Sequence, residues 1–153
     1  MKTIKSLLLI GMVLWAGAGS AAGLMVKDAW VREAPPNAMA LGAFATLHNG
    51  SDKMRTLVAA RSAVANKVEL HKTIMEGNLA KMVQQERVEI AAGGEVKLQP
   101  GGLHIMLIGP KQALKAGDKV EVVLEFADGV TLPVSFEVRK GQGMAMNHGH
   151  MSH

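Results

Sequence analysis

The stretch Leu103-His104-Ile105-Met106-Leu107 sets an imidazole and a thioether two residues apart inside an apolar run. Alternate residues of an extended chain point the same way, so His104 and Met106 share one face. Leu103, Ile105 and Leu107 then share the other, which reads as core. A second imidazole, His71, ends the alternation Val68-Glu69-Leu70-His71, with Val68 and Leu70 turned inward and His71 outward. Met82 stands on the next extended run, and a hairpin about Glu76-Gly77-Asn78 sets it roughly opposite His71. Imidazole nitrogen and thioether sulfur are both donors for soft metal ions. Each residue taken singly also has an ordinary reading, as a solvated strand histidine or a methionine filling a core. The chain has no cysteine, which removes thiolate–metal bonds, cysteine nucleophiles, disulfides and the cysteine of a blue-copper site.

The elements that must position these side chains read as strands. Candidates are Met25–Arg32, Gly42–His48, Met54–Ala60, Lys67–Ile74, Ala80–Gln85, Glu95–Leu98, Leu103–Ile108, Lys119–Phe126 and Thr131–Val138. Between them fall Pro35-Pro36, Asn49-Gly50, Gly93-Gly94, Pro100-Gly101-Gly102, Gly109-Pro110, Gly117-Asp118 and Asp128-Gly129. Asn49-Gly50 and Asp128-Gly129 are dipeptides that tight hairpins prefer, because such turns need positive φ. No segment combines a long helical period with good caps, and no internal repeat is present. Many short strands at this spacing predict an all-β Greek-key sandwich or barrel, and 153 residues suit one domain with a real core.

The two ends differ from this middle. Lys2 and Lys5, the apolar run Leu7 to Ala16 and the small residues Gly17 to Ala22 form the pattern of a secretory signal. The run is too short to span a bilayer comfortably. Cleavage is expected after Ala22, with Ala18 and Ser20 as alternatives, and no cysteine stands nearby to carry a lipid. The expected division is a signal over 1–22, a β domain over 23–139 and a flexible tail over 140–153. The exported protein is expected to be soluble and monomeric, without membrane insertion. Removing Lys2 and Lys5 leaves 15 basic against 13 acidic residues. These charges are dispersed and aromatics are few, so nucleic-acid binding has little support.

The spacing of the four donors is His71, ten residues, Met82, twenty-one residues, His104-x-Met106. In this the chain resembles the PCu(A)C family of periplasmic copper chaperones. The resemblance extends to Ala29-Trp30-Val31-Arg32 with Pro35-Pro36, to Val68-Glu69-Leu70-His71, to Pro100–Leu107 and to Leu114-Lys115-Ala116-Gly117-Asp118. It covers about Val26 to Val138. It implies a cupredoxin-like β-sandwich or barrel, a periplasmic location, and one Cu(I) held by His71, Met82, His104 and Met106. It also implies delivery to the copper centres of cytochrome c oxidase.

The donor chemistry agrees. Two imidazoles and two thioethers make a soft, neutral set suited to Cu(I) and, by the same softness, to Ag(I). Calcium and magnesium want oxygen ligands, and zinc favours thiolate, imidazole or carboxylate. Met75 shares the strand parity of His71 and is a lesser candidate, as is Met54; Met25 and Met39 read as packing, and His48 as exposed. The tail crowds Met144, Met146, His148, His150, Met151 and His153 into ten residues, an expected auxiliary site for Cu(II) or Cu(I). Sequestration of copper for tolerance is the rival function, and a metal-free β-sandwich that binds a protein partner is a third. No Gly-x-Ser-x-Gly or His-Glu-x-x-His motif occurs, so an enzyme is not expected.

Overall fold

A computed structural model describes residues 20–141. These residues form eleven strands: β1 (Ser20–Ala21), β2 (Leu24–Arg32), β3 (Ala40–Asn49), β4 (Arg55–Arg61), β5 (Ala65–Glu76), β6 (Leu79–Gln85), β7 (Val88–Ile90), β8 (Glu95–Leu98), β9 (Leu103–Pro110), β10 (Lys119–Phe126) and β11 (Thr131–Arg139). Among the described residues there is no helix. The order across the sheet is β6-β5-β9-β3-β2-β11-β10-β4-β7, with β1 on β2 and β8 on β3. Only the β11–β2 pair is parallel in this arrangement. Nine of the strands follow the expected runs to within a few residues; β1 and β7 were not anticipated.

Alternation fixes which face is buried. In β11, Leu132, Val134, Phe136 and Val138 are buried while their neighbours are not, and β10 buries Val120, Val122, Leu124 and Phe126 in the same rhythm. These residues share one hydrophobic cluster with Leu41, Ala43, Leu70, Ile105 and Leu107 from the other part of the sheet. The sheet therefore folds over itself and closes an all-β, cupredoxin-like sandwich around a single core. Each fully buried Leu, Ile, Val or Phe there contributes roughly 1.5–3 kcal/mol.

The outer face of β6-β5-β9-β3 carries the candidate site. Pairing of Leu70 with Ile105 and Val68 with Leu107 leaves His71, Glu69, His104 and Met106 on the side away from the core. β2 joins this face only because of a bulge. Its register with β3 shifts between Lys27 and Trp30, where Asp28 adopts φ 48°. Leu24 and Val26 are core before the bulge and Val31 after it. The extra residue thus turns Trp30 and Arg32 to the outer face, beside Phe44.

The two turn dipeptides behave differently. Asp128-Gly129 closes the β10–β11 hairpin, with the Gly129 N–H donating to Phe126 O (2.9 Å) and only Gly129 at positive φ, 85°. Asn49-Gly50 closes no hairpin, contrary to expectation: β3 pairs with β2, β8 and β9, while β4 pairs with β10 and β7. Asn49 instead is fully buried. Its Nδ2 donates to Lys53 O (2.7 Å), Ile90 O (3.0 Å) and Ala91 O (3.2 Å), and its Oδ1 accepts from the Ser51 N–H and Oγ–H. It pins the chain crossing between sheet halves to the end of β7. Asn49→Ala strands several buried carbonyls and is expected to cost about 2–4 kcal/mol. Urea unfolding measures this; a loss under about 1 kcal/mol would show that the crossing is held by other contacts.

Candidate metal centre

β5 and β9 pair with His71 directly across from His104 and Glu69 across from Met106. β3 continues the row, with Gly42 opposite Met106. On the other side β6 pairs with β5, and Met82 lies opposite Thr73 while His71 lies opposite Gln84. The expectation that Met82 faces His71 is therefore corrected by two residues. The two-residue loop Gly77-Asn78, with Gly77 at φ 63°, centres the hairpin between those residues and sets that register. Met82 keeps the same face and becomes a diagonal neighbour of His71, within reach of a long side chain.

A cleft of about 540 Å³ opens on this face. Met82, His104 and Met106 line it, together with Arg32, Phe44 and Met75. His71 does not line the cleft itself but stands beside His104, with ring centres 5.8 Å apart. A ligated ion lies about 2 Å from an imidazole nitrogen, so rings this far apart can share one ion. Gly42 leaves the room: a Cβ there would meet the Phe44 ring at 3.0 Å.

Each imidazole is oriented by a single acceptor. His104 Nδ1 donates to Gly102 O at 3.0 Å, which leaves Nε2 with the lone pair. That Nε2 is buried and has no hydrogen-bond partner. His71 Nε2 donates to Glu69 Oε2 at 2.7 Å, leaving the Nδ1 lone pair, also buried and without a partner. A buried polar atom left unpaired is costly, and a histidine with one nitrogen tethered and the other bare is the usual form of a metal ligand. Among the described residues no three His, Asp or Glu side chains converge for a metal, so sulfur is what the cleft offers to complete the set.

The acceptors follow from local structure. Gln99-Pro100-Gly101-Gly102 is a turn closed by Gly102 N–H to Gln99 O (3.0 Å), with Gly101 at φ 82°. It aims the Gly102 carbonyl at both His104 and the Thr73 N–H (3.1 Å). Glu69 shares the face of His71 by strand parity. Its carboxyl is held below the ordinary 4.5, first by the hydrogen bond from Lys67 and then by that from His71. It therefore remains ionised at any pH above 4.5, and the tether weakens only as pH falls through the lowered value.

Burial grades the donors. His104 is 4 % exposed, His71 and Met106 are half-buried, and Met82 is 57 % exposed. Met75 lines the cleft as its parity allowed. Met54 does not, and Met25 and Met39 are not packed as expected but exposed, Met39 to 82 %. His48 is half-exposed, with Nδ1 4.0 Å from Glu95. Met144, Met146, His148, His150, Met151 and His153 lie outside the described residues, as do 1–19. Glu69, Arg32 and Phe44 were not recognised from sequence as parts of the site. Glu69 was open to recognition by parity with His71, whereas the other two depend on the bulge and on Gly42.

The fold is that of a PCuAC domain. The apo PCuAC domain from PmoF1 superposes with a TM-score of 0.70 at 20% identity, over 82% of this chain and 100% of that one. The Cu(I) form of DR1885 from Deinococcus radiodurans is 36% identical with a TM-score of 0.63, over 76% and 78% of the two chains. The "Putative lipoprotein Lxx21020" of Leifsonia xyli subsp. xyli is 38% identical over 128 residues, 82% of this chain and 75% of the relative. Residues 24–138 match the family described as "Putative lipoprotein LpqE-like". The chain belongs to this LpqE-like family, which is related to the PCuAC domains that its His–Met spacing resembles.

Because Glu69 holds His71 through its second nitrogen, Glu69→Ala is expected to weaken binding of Ag(I), a soft monovalent probe, by about 10–100-fold. Competition against a chromophoric chelator measures this, and an unchanged affinity would show that His71 needs no such tether.

Proposed function

We propose that this chain is a periplasmic copper chaperone that holds one Cu(I) between His71, Met82, His104 and Met106. It passes the ion to a copper enzyme, and the family resemblance points to cytochrome c oxidase. The observation that carries this is the pair of buried, unpartnered imidazole nitrogens, His71 Nδ1 and His104 Nε2, on the sheet face that also bears both thioethers. The Cu(I) state of DR1885, a relative of this chain, supports the choice of ion.

Four uncharged donors leave the charge of Cu(I) uncompensated, and the two thioethers need no deprotonation, which favours exchange over storage. The exposure of Met82 agrees, since an acceptor's ligand can replace it first. Thioethers also survive in an oxidising compartment without being lost to disulfides. The site has no catalytic step in this proposal: once ligated, the ion keeps no open position for a substrate. Residues 1–22 serve as the export signal, 23–139 as the copper domain, and 140–153 as a tail whose Met and His side chains gather additional copper.

X-ray absorption on the Cu(I)-loaded protein tests the ligand set. A nitrogen-and-sulfur shell is expected, with the sulfur lost in the Met82→Ala, Met106→Ala double variant. A sulfur shell that persists there would move the site elsewhere. Mixing the loaded protein with an apo oxidase copper domain then separates delivery from sequestration, because only delivery predicts net transfer.

A further inference from the structure

Arg32 ends β2 and lines the same cleft as Met82, His104 and Met106. The cleft is otherwise walled by neutral side chains such as Phe44 and Met75. Arg55, Arg61 and Arg139 are each paired with a carboxylate; among the described residues none pairs with Arg32. Its guanidinium carbon lies instead 5.9 Å from the Trp30 ring centre and 5.6 Å from that of Phe44. Its Nε is buried without a hydrogen-bond partner. Aromatic faces attract a cation but do not neutralise it, so the charge of Arg32 acts on whatever occupies the cleft.

The distance is short enough to matter. Phe44 neighbours both groups, its ring centre 6.3 Å from that of His104 and 5.6 Å from the guanidinium. The guanidinium is therefore no more than about 12 Å from the His104 ring. Coulomb's law at an effective dielectric constant of about 20 then makes each unit of ion charge cost roughly tenfold in affinity. A divalent ion meets this cost twice. Glu69, the carboxylate bonded to His71, is already engaged by Lys67 as well.

We infer that Arg32 is a valence selector, which discriminates against Cu(II) in the core site by charge and so biases it toward Cu(I). This rests on the proposed copper site. The β2 bulge is what brings the guanidinium to the cleft, because the unbulged parity of Leu24 and Val26 would send it into the core.

The test measures Cu(I) and Cu(II) affinities separately, by chelator competition, in the full chain carrying His148→Gln, His150→Gln and His153→Gln to keep the tail from competing for Cu(II). Arg32→Gln is expected to raise Cu(II) affinity roughly tenfold relative to Cu(I). Arg32→Leu keeps the apolar packing against Trp30 and Phe44 should the Gln variant fold poorly, and is expected to do the same. Arg32→Lys retains the charge and is expected to hold the ratio within about twofold, and Ag(I) affinity is expected to follow Cu(I) in every variant. A ratio unmoved by Gln and Leu overturns the inference, as does an equal shift in Lys, which would mark a packing effect. If the parent protein takes no Cu(I), the copper site falls and the inference with it; Cu(I) binding with an unmoved ratio removes the inference alone.

Discussion

The register between β5 and β9 is the constraint from which the cleft follows. With His71 across from His104 and Glu69 across from Met106, one pairing brings two imidazoles together and sets a carboxylate behind one of them. A slip of one residue on either strand would turn that strand's polar set inward and its Leu and Ile outward. The core prevents it. Leu70, Ile105 and Leu107 are almost wholly buried, so the apolar face holds the polar face in place. The donors are aligned by the apolar residues that alternate with them along each strand.

The second layer of control is polar and local. Gly102 O and Glu69 each accept from one ring nitrogen, which fixes the tautomer and leaves the opposite nitrogen bare. One acceptor is backbone, fixed by a Pro-Gly turn that needs positive φ at Gly101. The other is a side chain, kept ionised by Lys67 and His71. The two imidazoles are thus unequal: His104 is held by a main-chain carbonyl, His71 by a side-chain carboxylate.

Much of this was legible in the sequence because it depends on alternation. Strand parity set His104 with Met106 and Met75 with His71, each away from the apolar positions, and the strand pairings bring these residues and Met82 to one face. What was not legible depends on contacts between distant segments. The Asn49-Gly50 dipeptide carries a hairpin signal, yet the Asn49 side chain is recruited by Lys53, Ile90 and Ala91 carbonyls, a partner set no local pattern announces. β7 escaped notice because three residues, Val88–Ile90, are too few to show a period. The position of Met82 turned on whether the loop held two residues or more. Arg32 was hidden by the bulge, since simple alternation from Leu24 and Val26 assigns it to the core.

Exposure orders the donors in a way that bears on how an ion leaves. His104 is buried and main-chain tethered, His71 and Met106 are half-buried, and Met82 rides on β6, an edge strand whose residues Leu79 to Met82 all face solvent. Edge strands with few buried contacts open at low cost in free energy. In the proposed copper site ligand exchange is therefore easiest at Met82 and hardest at His104, so an incoming donor meets the exposed thioether first while the imidazoles keep the ion in place. Met75 and Met82, both exposed, form an apolar rim of the cleft at that point. A site built from four equally buried donors would have to open the sheet to release its ion; the proposed one has only to let a methionine swing away.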